Sequence, residues 1–148
     1  MSLQRSLLAG AVASALMLCA AVPASVAAAN KPSALVIHEK FTLLACPSKP
    51  RTTVQVEGCA EHRVVAIDRT IDGLNAKVFA ILGSSGRASF VTANTAWVQY
   101  RDAVCAGESS IYHGGSVQPV VYADCLVAID KSHVSELKKV MVTVSLGG

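Results

Sequence analysis

The sequence predicts an all-α fold: a small three-helix domain stapled by disulfides, with an extended arm ahead of it. Two observations carry that expectation. Ala60, Val64, Ile67, Ile71, Leu74, Val78 and Ile81 follow one another in alternating steps of four and three, the spacing of a single apolar helix face. At 1.5 Å per residue that stripe makes a helix of about six turns. Cys46, Cys59, Cys105 and Cys125 form an even set in a short chain, the usual sign of a disulfide framework. The expected layout is a signal peptide at residues 1–29, an arm at 30–53 and a helical domain at 54–148.

The N-terminus sets the compartment. Arg5 precedes an apolar run from Leu7 to Val22, and Pro23 leads into small residues ending at Ala27-Ala28-Ala29. This is the charged, apolar and small-residue order of a secretory signal. The apolar run is shorter than a membrane span, so no stable span is expected. Cleavage is expected after Ala29, with Ala27 as the other position. Cys19 offers a second option, a lipid anchor, but Leu18 stands where a lipoprotein signal carries a small residue. A secreted or periplasmic protein follows. With Arg5 set aside, 12 Lys and Arg face 10 Asp and Glu, and no basic run occurs, which argues against a nucleic-acid partner.

The four later cysteines allow three pairings. Cys46–Cys59 and Cys105–Cys125 are expected, because each joins sequence neighbours across a turn. Each closure is worth about 3 kcal/mol in the chain-entropy account. Zinc would call for closely spaced pairs, and no C-x-x-C is present. Neither a metal nor a cofactor is expected.

In the arm, SALVIHEKFTLL reads as a short strand or an extended segment, and Pro47 and Pro50 exclude a helix after it. Thr52 and Gln55 have capping-box spacing ahead of the striped helix. Gly83-Ser84-Ser85-Gly86 marks the next turn. A second helix is expected over Ser89–Ala106, with Phe90, Trp97, Arg101 and Val104 on or near one face and Val91, Val98 and Cys105 beside it. Gly107 and Gly114-Gly115 bound a polar loop. Ser116 is a candidate N-cap for a third helix, and Pro119 suits its first turn. That helix should carry Val121, Cys125, Ala128, Ile129 and Leu137. The terminal VMVTVSLGG alternates like a strand, leaving helix and strand both open there.

No catalytic constellation is visible. His38, His62, His113 and His133 are scattered, G-x-S-x-G and H-E-x-x-H are absent, and Ser109 and Ser110 near His113 have no third partner. The stretch AWVQYRDAVC, residues 96–105, reads mainly as structure: Trp97 filling the core, and Arg101 and Asp102 reaching Asp72 or Asn75 on the first helix. The loop GESSIYHGGS, residues 107–116, is the better contact candidate because it is polar and held at both ends by one disulfide.

AWVQYRDAVC followed by GGSVQPVVYADCL resembles the C-terminal half of the LprI-type lysozyme-inhibitor family, small exported bacterial proteins. Asp72-Gly73-Leu74-Asn75 is similar to the family's upstream Asp-x-Leu-Asn, and the first cysteine pair also fits. Asn94 stands where the family usually has Gln, and Val78 near a place often aromatic. The resemblance implies an inhibitor rather than an enzyme, with lysozyme as its protein partner. A lysozyme cleft carries two catalytic carboxylates. His113 or a backbone N–H of the loop could face these, and Glu108 would not; Glu108, Ser110, Tyr112 and His113 are together the contact candidates in the loop, and Asp72, Leu74, Asn75, Trp97, Arg101 and Asp102 the structural core. Glu57, Glu61, Asp68 and Asp72 form a second, acidic candidate face on the first helix. The rival reading is an envelope protein that binds peptidoglycan or an envelope partner.

Overall fold

The computed structural model describes residues 32–147. The expected signal peptide, its expected cleavage site and Cys19 lie outside the described residues. Three helices follow a short 3-10 turn at Ser33–Leu35: α1 (Thr53–Ile81), α2 (Ser84–Ser109) and α3 (Gln118–Leu146), with a second 3-10 turn at Ser110–Tyr112. No strand occurs among the described residues.

Thr52 caps α1, its hydroxyl accepting from the Gln55 N–H at 3.3 Å. The Gln55 side chain reaches back to the Arg51 N–H at 2.8 Å, one residue short of the usual capping-box partner. The expected stripe is buried at Ala60, Val64, Ile71, Leu74 and Val78, and half-buried at Ile67, while Ile81 at the helix end is exposed.

The turn after α1 is shorter than Gly83–Gly86. Only Leu82 and Gly83 separate the helices, so α2 begins five residues ahead of the expected Ser89. Arg87 explains the tight junction. Its Nε and Nη2 donate to the terminal α1 carbonyls of Phe79 and Ala80 at 2.9 and 3.1 Å, and its guanidinium lies over the Phe79 ring. At the other end α2 runs past Ala106 to Ser109. The expected loop is thus largely helical, and a tight bend is left around Gly114, whose φ of 75° suits glycine.

Ser116 does not cap α3. Val117 takes that position without a side-chain bond, Pro119 sits in the first turn as expected, and Gln118 Oε1 accepts from the Gly114 N–H instead. The C-terminal alternation resolves as helix through Leu146. Val134, Leu137 and Met141 supply the core face at helical spacing, while Val140 and Val142 point outward.

Residue pairs fix the topology. Ala60 and Val64 cluster with Ala123–Val127, and Ile71 and Leu74 with Leu137, so α1 and α3 run parallel. Asp68–Arg101, Asn75–Asn94 and Cys105–Cys125 place α2 antiparallel to both. No described helix is long and apolar enough to cross a membrane.

The arm is sewn along α1 in the opposite direction. Ile37 N–H donates to Asp72 Oδ1 at 3.0 Å, Leu44 N–H donates to Glu61 Oε2 at 3.1 Å, and Cys46 bonds to Cys59. The close crossing depends on Gly58. A Cβ there would lie 2.7 Å from the Ala45 carbonyl oxygen and 2.9 Å from that of Leu44. The arm's start is anchored by Leu35, wholly buried, and by amide bonds to both helices.

Candidate functional site

At the centre lies a buried charge knot. Arg101, 1% exposed at the side chain, meets Asp68 at 3.3 Å and Asp130 at 3.4 Å through Nη1, and Glu39 and Asp102 through its other nitrogens. One cation thus ties α2 to α1, α3 and the arm. Asp68 Oδ2 and Asp130 Oδ2 are buried with no hydrogen-bond partner. Burial pushes Asp68 up to about 7, with Asp130 and Glu39 adding to the rise and Arg101 opposing it. Burial likewise lifts Asp130 to about 6 against the pull of Arg101. On Arg101 burial works against the charge, but Glu39, Asp102 and Asp130 outweigh it and hold the guanidinium above its ordinary value.

The sequence expectation named the right cation and the wrong partners. Asp72 binds the arm at Ile37, and Asn75 donates to Asn94 Oδ1 at 2.8 Å. Asp68, one turn before Asp72, faces Arg101 instead. Asn94, the departure from the family's Gln, donates in turn to the Ala34 carbonyl at 2.9 Å. Leu74 is buried as expected, while the Asp102 side chain is 46% exposed. Trp97 is half-buried and packs against the edge of the core formed by Ile71, Leu74 and Leu137. It stacks on His133 with ring centroids 3.7 Å apart. Burial lowers the His133 pKa, partly offset by Glu136.

The acidic face expected on α1 does not present itself to solvent. Glu61 and Asp68 are buried, and both are used by the arm and the knot. Helical period explains this: both lie one residue past a core position of the stripe, on the side where the arm and α2 pack.

A surface cleft lies at the α2–α3 corner beside Cys105–Cys125. A groove of about 700 Å³ is lined there by Tyr100, Val104, Glu108, Ile111, Tyr112 and Asp124, among others. Ile111 is 80% exposed and Tyr100 60%, an unusual pair of large apolar side chains to leave in water. Of the expected contact residues, Glu108 and Tyr112 line the groove. Ser110 Oγ instead donates to the Gly107 carbonyl at 2.6 Å, and exposed His113 lies at the end of the 3-10 turn. Tyr100, Val104 and Ile111 were missed. The signal was present: 100, 104, 108 and 111 share one helix face, visible only if α2 continues past Ala106.

Among the described residues, no group of three His, Cys, Asp or Glu side chains is placed to hold a metal ion. Fold and site together define a disulfide-stapled helical domain whose distinctive surface is a half-apolar groove. The family model described as lysozyme inhibitor LprI matches residues 46–137, and the chain belongs to that family. It is also similar to an uncharacterized protein of Rhizobium meliloti (strain 1021), 26% identical over 138 residues, covering 90% of this chain and 95% of the relative. No solved structure matches.

Proposed function

We propose that this protein is an exported inhibitor of lysozyme that binds the enzyme and blocks its cleft, shielding the producing cell wall from host defence. Membership of the LprI family over residues 46–137 carries the reading. Two disulfides suit an oxidising compartment, and the leader-like residues 1–29 supply a route to it. The contact begins at the α2–α3 corner, with Glu108, Ser110, Tyr112 and His113. The stapled helix ends hold this corner in shape before binding, which limits the entropy lost on association.

The test is lysis of a cell-wall suspension by lysozyme with increasing amounts of the oxidised chain, residues 30–148. Dose-dependent protection, lost in the Tyr112→Ala, His113→Ala double variant, is the expected outcome. Protection that survives both changes moves the contact elsewhere. No protection against any lysozyme class sinks the inhibitor reading, and co-sedimentation with purified wall would then favour an envelope-binding role.

A further inference from the structure

The corner groove is one end of a longer seam. Past Tyr100 and Ile129 it leads into a hollow of about 330 Å³ bordered by Trp97, Ser132, His133 and Glu136. A third hollow of about 300 Å³ follows, walled by Phe90, Ala93, Leu137 and Val140. Along α3 the lining runs from Val121 to Val140, about 30 Å at 1.5 Å per residue. A standard protein interface buries about 800 Å² per partner, a patch about 30 Å across.

The charges on this seam run against the chain's average. The whole chain carries a formal +3, yet among the described residues no Lys or Arg lines any of the three hollows. Glu108, Asp124 and Glu136 do. Asp124 is already paired with Arg63 at 2.6 Å, and Glu136 contacts the His133 ring at 3.4 Å. Partial burial lowers the pKa of half-buried His133, which disfavours its positive charge. A carboxylate therefore stands near each half of a mostly apolar and aromatic strip. This is the composition of a protein interface: aromatic and aliphatic anchors with a charged rim.

We infer that the α2–α3 seam, from Ile111 to Val140, is the docking surface for a basic protein, with Ile111 and Tyr100 as apolar anchors and Glu108 and Glu136 as charged contacts. The inference rests on the lysozyme reading and extends the contact from the corner to the whole seam. It also supplies the local complementarity that a net positive chain otherwise lacks toward a basic enzyme.

The experiment is a binding titration of the full oxidised chain against a basic animal lysozyme, at low and at physiological salt. Four forms are compared: unchanged, Ile111→Asp, Glu108→Lys with Glu136→Lys, and Glu57→Lys as a charge-reversal control outside the seam. Thermal melting of each confirms an intact fold. Both seam variants are expected to raise Kd at least tenfold, with the control unchanged. Affinity of the unchanged chain is expected to fall with salt, since exposed charges are screened over about 8 Å at physiological ionic strength. Full-strength binding by both seam variants overturns the seam while leaving an inhibitor in place. Failure of the unchanged chain to bind overturns the seam as a site for a basic enzyme, and the inhibitor reading falls with it when no lysozyme class is blocked in the lysis assay.

Discussion

Arg101 and Asp130 face each other in the protein interior at 3.4 Å, with side chains 1% and 0% exposed. Among the described residues, the arginine is the sole cation of a knot that also holds Asp68, Glu39 and Asp102. Arg101→Met should destabilise the fold by about 3–5 kcal/mol, because it strands buried carboxylates without a counter-charge. For a domain of this size, each kcal/mol lowers the melting temperature by about 4 °C. The defect should shrink at pH 5, where the stranded acids protonate. Arg101→Lys should fall between, since one ammonium cannot fork toward carboxylates on three elements. Melting curves at pH 8 and pH 5 check all three statements.

The knot also sets a pH dependence. Asp68 and Asp130 titrate near 7 and 6 in the folded protein, above their ordinary value of 3.8. A group raised on folding contributes stability that is full below its unfolded pKa and lost as pH rises through the folded one. Stability should therefore increase as pH falls from 8 toward 5.5. His133 acts in the opposite sense, because its pKa is lowered by burial and its contribution fades on acidification. Asp68→Asn should flatten the curve between pH 6 and 8. A melting temperature that falls steadily from pH 8 to 5.5 would contradict the assignment.

The helices were legible because an amphipathic stripe is a local signal: seven residues of α1 sufficed. What sequence spacing could not provide was partner choice across elements. Asp68 and Asp72 lie one turn apart, and only the packed geometry decides that Arg101 takes the first while Ile37 takes the second. Glu39 was out of reach for the same reason, sitting 62 residues from Arg101 in an arm with no periodic pattern. The groove was half legible. Glu108 and Tyr112 drew notice as loop residues, whereas Tyr100 and Ile111 belong with them only because α2 carries on through Gly107.

Gly58 makes the arm a dependent part of the fold. Gly58→Ala places a methyl group against backbone carbonyls at 2.7 and 2.9 Å, and backbone cannot swing aside as a side chain can. The arm should lift locally, at a cost of about 1–3 kcal/mol, the range for inserting a methylene into packed structure. Hydrogen exchange reads this directly. The amides of Ile37 and Leu44, which donate to Asp72 and Glu61, should lose protection while those in the middle of α3 keep theirs.

The two disulfides should respond differently to removal and to reductant. Their sequence separations, 13 and 20 residues, differ by only about 0.4 kcal/mol in loop-closure entropy. Surroundings therefore decide. Cys105 and Cys125 are buried in the cluster with Val64 and Leu126, whereas Cys46 is exposed. Replacing Cys105 and Cys125 by Ala removes a core staple and leaves a packing defect, so it should cost more than the same change at Cys46 and Cys59. Mild reductant should open Cys46–Cys59 first, because its sulfurs are reachable by an attacking thiolate. Mass spectrometry of alkylated thiols over time resolves the order. Alkylation at Cys105 or Cys125 ahead of Cys46 would overturn it.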